Sequence, residues 1–201
     1  MSQTKLDEIL SRLQLLQNEL EDELETLLEE KREYFQYTFE KGKVRFKKQI
    51  HELQRKHKKG LLKYIVEAKL KHIISVPVIY SIIIPIFFID ITVTLYQHIC
   101  FRLYGIPRVQ RTKYVVIDRQ HLGYLNALEK FNCMYCGYGN GVMSYVREII
   151  ARTEQYWCPI KHAHKIIDAH QWAENYVDYG DASAYREKLV ALRKVVSNEK
   201  A

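Results

Sequence analysis

The residues best placed to do chemistry are sulfurs and imidazoles. Cys133 and Cys136 form a C-x2-C pair followed by Gly137. Cys158 comes after a further stretch of about twenty residues, in Trp157-Cys158-Pro159-Ile160-Lys161-His162-Ala163-His164. Tetrahedral zinc takes four thiolate or imidazole donors, and short-spaced pairs supply them at low loop cost. The order C-x2-C, then C-x3-H, thus predicts a Cys3His site of Cys133, Cys136, Cys158 and His162, with His164 as substitute. Iron is the chemical alternative, because sulfur ligands suit both metals. A dithiol–disulfide pair of Cys133 and Cys136 is another, although low-pKa thiols of such pairs usually occupy a helix N-terminus. The bland reading is small cysteines packed among aromatic rings. No C-x-x-C-H occurs, so covalent c-type haem is unsupported.

Between the pairs, Gly137-Tyr138-Gly139-Asn140-Gly141 reads as a turn that folds the knuckle and opens a helix at Val142. Its amides could hold an anion, but it matches neither G-x-G-x-x-G nor a P-loop. Acid–base candidates are Glu148, Glu154 and His121. Glu148 and Arg152 sit at i, i+4, so an ordinary helix pair accounts for Glu148 equally well.

Those residues need elements to carry them. Asp118 is a good N-cap for a helix from Arg119 to about Phe131, preceded by a β-like run, Tyr114-Val115-Val116-Ile117. A helix from Val142 to Tyr156 follows. Lys165 to Ser197 reads as two amphipathic helices separated near Gly180.

Upstream, Leu6, Leu13, Leu20 and Leu27 recur every seven residues, with Ile9 and Leu16 between them. That is a coiled-coil seam, which frays where Glu23 and Glu30 take the later positions. It predicts a helix over residues 5–30 that buries its stripe against a second copy or a partner helix. Gly42 is a plausible break. In Lys43 to Lys71, Phe46, Ile50, Leu53 and His57 share one helical face, and lysines and arginines cover the others.

Charge separates these regions. Residues 1–30 carry a net −7, residues 31–72 a net +10, residues 73–101 only Asp90, and residues 102–201 a net +5. A basic run suggests nucleic acid first. This one sits directly before an apolar segment, where each lysine attracts anionic headgroups by roughly 1 kcal/mol. Membrane lipid is therefore the expected partner of residues 43–71, and nucleic acid is not.

The segment from Ile73 to Ile89 has no charge, and apolar character continues to Phe101. It lies too far along the chain for a signal peptide and predicts membrane insertion. Pro77 and Pro85 bend a helix, and both flanks are positive, which favours a re-entrant helix–break–helix form over a simple span. Asp90 would lie near an interface, a possible partner for a basic residue. Tyr96, Phe101 and Tyr104 mark the aromatic border, and Cys100 reads as a lipid-facing residue. Four cysteines and no disulfide framework fit a reducing compartment.

The string from Asp118-Arg119 through Asn132-Cys133, Tyr135-Cys136, Asn140-Gly141, Arg147-Glu148-Ile149 and Thr153-Glu154-Gln155-Tyr156-Trp157-Cys158-Pro159-Ile160-Lys161-His162-Ala163 resembles a family of uncharacterised bacterial membrane proteins. Tyr80-Ser81, Pro85, Asp90, Tyr96-Gln97 and Tyr104-Gly105-Ile106-Pro107 resemble that family's membrane segment. The resemblance covers roughly residues 72–165 and implies class and location only: the cell inner membrane, with most of the chain cytoplasmic.

The expectation is a mainly α chain. It comprises an acidic coiled-coil-like helix (1–41), a basic juxtamembrane helix (42–72), a membrane segment (73–101) and a helical domain bearing the Cys/His knuckle (102–201). The expected function is a membrane-anchored structural or assembly module with a structural zinc. The rival is a membrane-bound enzyme or redox protein that uses the Cys/His site on a lipid or membrane partner.

Overall fold

A computed structural model describes residues 2–35, 37–40, 43–164 and 166–198. Gly42, Lys165 and the side chain of Leu6, singled out above, lie outside the described residues. The fold is mainly helical and contains one long apolar helix. It packs as two compact units, residues 1–61 with 121–127, and residues 62–120 with 128–201.

In the first unit, a helix runs from Ser2 to Tyr34. Its Ile9, Leu13, Leu16, Leu20, Leu24 and Leu27 are all exposed. The acidic helix stops at Tyr34 and does not reach residue 41, and the basic stretch 42–72 is not one helix. Strands β1 (Tyr37–Glu40) and β2 (Lys43–Phe46) pair antiparallel, with Tyr37 opposite Phe46. Their rings lie 5.5 Å apart, an aromatic cross-strand pair of the kind that stabilises a short hairpin. A helix over Lys48–Lys56 follows and ends ahead of Gly60. Its Gln54 Oε1 accepts the Gly123 amide at 2.9 Å. A Cβ at Gly123 would meet the His51 ring at 2.9 Å and would have to displace that side chain.

The second unit is built on two long helices. The apolar helix runs from Leu70 to Tyr104, 35 residues, or about 52 Å at 1.5 Å per residue. Only 6% of its most apolar window is buried within the chain. The break expected at the prolines does not form: Pro77 lies within helix, and the backbone at Ile82 stays right-handed helical. The helix is long and apolar enough to cross a membrane. A π-helical turn at Gln97–Phe101 precedes its end. There Gly105, at φ +68°, lets the Ile106 amide reach back to the Phe101 carbonyl at 2.8 Å, a glycine-terminated cap.

The chain then doubles back as an extended strap, residues 105–118, interrupted by one helical turn at Arg111–Tyr114. No strand forms at residues 114–117. Gln97, buried, fixes the strap: its Oε1 accepts the Val109 amide at 3.0 Å, and its Nε2 donates to the Val109 carbonyl and to the Tyr145 hydroxyl. Arg111 grips Asp90 through Nε at 3.0 Å and Nη2 at 2.7 Å, and the Tyr138 hydroxyl donates to the same carboxylate. Asp90 thus has a basic partner.

A second helix, Ala127–Trp157, runs back alongside. It replaces both the shorter helices and the turn expected between them. Its contacts advance in step with the apolar helix: Tyr80 with Asn132, Asp90 with Tyr138, Thr94 with Tyr145, and Tyr96 with Thr153. The two helices are therefore parallel, with the strap against them. That geometry explains the glycines. A Cβ at Gly141 would lie 2.6 Å from the Tyr114 carbonyl oxygen and 2.8 Å from the Val115 Cα, and one at Gly137 would lie 3.2 Å from the Val116 oxygen. They are small because strap backbone passes there, and they stay helical despite glycine's poor propensity.

The core centres on Phe101, Ile106, Val109, Tyr145, Ile149 and Trp172. Residues 166–180 do not form the amphipathic helix expected from Lys165 onward; they make a loop with one 3-10 turn, Gln171–Asn175. The last helix, Ala182–Ser197, is capped by Asp181, whose side chain accepts the Ala184 amide at 2.9 Å.

Candidate functional site

The cysteines do not assemble. Cys133 and Cys136 lie within the body of the Ala127–Trp157 helix, and Cys158 follows its last residue. The helix between Cys136 and Cys158 is about 33 Å long. Donors to one zinc lie about 2.0–2.3 Å from it, so these three thiols cannot share an ion. Among the described residues no group of three or more His, Cys, Asp or Glu side chains could hold a metal. The predicted Cys133, Cys136, Cys158, His162 knuckle, with His164 as substitute, is therefore not formed within the chain, for zinc or for iron. The cause is the glycine segment, which propagates a helix where a turn was expected. All four cysteines are free thiols. Cys133 and Cys136 lie in mid-helix, whereas the thiols of dithiol redox pairs sit at a helix N-terminus.

The acid–base candidates divide. His121 belongs to the first unit. Glu148 is committed to structure. Its Oε1 accepts Arg152 Nε at 2.7 Å, with the two side chains 12% and 9% exposed, and the Trp172 indole N–H at 3.4 Å. Arg152 also donates to the Pro107 carbonyl at 3.1 Å and lies over the Trp172 ring. This pair ties helix, strap and 3-10 turn together.

Glu154 is different. It sits on the last turns of the helix and lines a cleft of about 420 Å³ with Arg147, Lys161, His162, His164 and His170. His170 Nε2 lies 2.8 Å from Glu154 Oε2, and His162 Nε2 lies 3.9 Å from Oε1. An ionised carboxylate only accepts, so the hydrogen of the shorter contact is on His170. Its other nitrogen, Nδ1, is buried without a hydrogen-bond partner among the described residues. Tyr176 packs edge-on against the His170 ring at 5.7 Å. Burial, reinforced by the nearby Glu154 and Cys158, pushes its phenol well above the ordinary value, so it stays protonated.

Local backbone bonds hold the cleft. Lys161 N–H donates to the Val177 carbonyl at 2.8 Å and Val177 N–H to the Pro159 carbonyl at 2.9 Å, closing the intervening loop. Lys161 pairs with Asp178 at 2.8 Å, and Arg147 with Asp168 at 3.0 Å. Asp168 has φ +59°, uncommon for a residue with a side chain. Gln155 donates to the Leu192 carbonyl at 2.9 Å, and Arg193 donates to the Tyr156 carbonyl at 2.9 Å, docking the last helix behind the site.

Sequence reasoning named Glu154, His162 and His164 and missed His170 and Arg147. His170 falls in a segment read as helix, and only the loop's return brings it to Glu154. The arrangement can bind, hold or exchange a proton between a carboxylate and two imidazoles. No protein-family model matches the chain, and no curated protein or solved structure matches it either.

Proposed function

We propose that this chain is a membrane-anchored assembly module: the Leu70–Tyr104 helix lies in the bilayer and the N-terminal helix joins copies of the chain. The single observation that supports it is the uncovered apolar helix, with Ile73, Ile74, Val78, Ile84, Phe87, Phe88, Ile91 and Leu95 all exposed. Water would not tolerate such a continuous surface, whereas hydrocarbon would solvate it. The assembly half rests on the acidic helix. Its exposed Ile9, Leu13, Leu16, Leu20, Leu24 and Leu27 step by four, three, four, four and three, so one stripe continues past Glu23. A second copy of the same stripe is its natural cover.

The test is extraction of the full-length chain from bacterial membranes. The reading expects retention after carbonate and urea washes and release only by detergent; full release by carbonate would end it. In detergent, light scattering should give a multiple of the 24.0 kDa monomer. The Leu16→Glu/Leu20→Glu variant should reduce the mass to one chain per particle while staying membrane-bound.

A second reading has its own observation, the Glu154–His170 contact in an open cleft. It casts the membrane-bound chain as an acid–base enzyme in which Glu154 and the imidazoles move a proton. Glu154→Gln would then abolish turnover while leaving membrane retention and oligomer mass unchanged.

A further inference from the structure

We propose that a second cleft, at the end of the apolar helix, binds an anionic phosphate group, which a lipid headgroup or free phosphate could supply; the lipid source rests on the membrane reading above. The cleft has a volume of about 370 Å³ and is lined by Thr94, Gln97, His98, Arg108, Gln110 and Arg111, among others.

Its walls are held in place. Val109 is buried and fixed by both polar atoms of Gln97, and Arg111 is clamped to Asp90. In an extended strap, alternate residues face opposite ways. Holding Val109 and Arg111 inward therefore turns Arg108 and Gln110 outward, and both are exposed. The charges do not cancel. Asp90 neutralises Arg111, whereas Arg108 has no carboxylate partner among the described residues. His98 Nδ1 donates to the Thr94 carbonyl at 2.6 Å, which fixes the ring against its own helix as one wall of the cleft. A guanidinium without a carboxylate partner beside a polar cavity is the group that recognises phosphate, through paired hydrogen bonds.

The surroundings point to lipid as a source. Ile91, Leu95 and Ile99 are exposed and step by four along the ridge that carries His98, and Phe87 and Phe88 continue it. A phosphate held in the cleft would send its acyl chains from Ile91 toward Phe88 and Phe87, into the uncharged stretch. Asp90 and Arg111 mark where the uncharged stretch ends, which is headgroup depth for an inserted helix.

The experiment titrates the full-length, detergent-purified chain by calorimetry with three probes: dihexanoyl-phosphatidylglycerol, dihexanoyl-phosphatidylcholine and inorganic phosphate. The expected result is at least tenfold tighter binding of the glycerol lipid than of the choline lipid, weakened at least tenfold by Arg108→Gln and restored in part by Arg108→Lys. Replacing Lys47, Lys48, Lys56, Lys58 and Lys59 by glutamine should leave that preference unchanged, which separates the cleft from the basic run. Arg108-dependent binding of inorganic phosphate with no lipid preference would uphold the cleft and assign its ligand to solution. Equal binding of every probe by wild type and Arg108→Gln would overturn it. Arg108 is exposed, so its variants should keep the wild-type melting temperature and stay in the membrane fraction. Loss of wild-type protein from that fraction is a failure of the anchoring reading, which the calorimetric comparison reports separately.

Discussion

The two halves of the Ala127–Trp157 helix solve the same packing problem by opposite means. From Phe131 to Val146 the helix carries no charge. It meets its neighbours through glycines that remove volume and tyrosines that reach across: Tyr135 to the Ile79 carbonyl, Tyr138 to Asp90. From Arg147 to Trp157 it meets them through ion pairs and buried amides. The first half makes room; the second fills it with polar groups that must be matched. Backbone proximity limits substitution in one half, and unpaired charge in the other.

Breaking the polar half should cost most. Arg152→Ala leaves Glu148 buried without its cation and frees the Pro107 carbonyl, and should destabilise the chain by about 3–5 kcal/mol. Thermal melting in detergent checks it. The double variant Glu148→Gln/Arg152→Met should recover much of the loss, because the cost comes from the orphaned charge. The steric half should respond next. Gly141→Ala forces strap backbone to move and should cost about 1–3 kcal/mol. Two residues away the sign reverses. A Cβ at Gly139 meets only Ile86 Cδ1 at 3.5 Å, so Gly139→Ala should stabilise by about 0.5–1 kcal/mol. If both alanines behave alike, the steric account of this half fails.

The smallest effect lies outside both halves. Asp181 accepts the Ala184 amide and the Ser183 hydroxyl, and these hold its carboxyl below the ordinary value. Its contribution to the last helix is therefore present above the ordinary carboxylate pKa and fades as pH falls through the depressed one. Asp181→Asn, which still caps, should flatten that acid limb of the helicity profile and leave neutral pH unchanged.

The contrast also explains what was legible in the sequence. The acidic helix and the apolar helix rest on periodicity and hydropathy, which are local, and both appear where expected. The polar half was partly readable, because Glu148–Arg152 is an i, i+4 pair and Glu154, His162 and His164 lie close together in the chain. The steric half was not. Three glycines in five residues argue for a turn by propensity, and only the strap pressing on Gly137 and Gly141 makes helix the better answer. From that one misreading followed the cysteine knuckle, since a turn would have brought Cys158 back and a helix carries it away. Pro77 and Pro85 misled in the same direction: the apolar helix continues past both, with a single turn residue, Ile82, in right-handed helical geometry.

The parallel course of the two helices also dictates when the molecule can close. Tyr80, Asp90, Gln97 and Tyr96 meet partners 48 to 57 residues later in the chain. During synthesis the apolar helix must emerge without these partners, and must wait for them until the second helix is made. Gln97 reaches the Val109 backbone first, 12 residues on, and Asp90 then finds Arg111, 21 residues on. That early clasp neutralises the only charge between Ile73 and Phe101 before the second helix has been made.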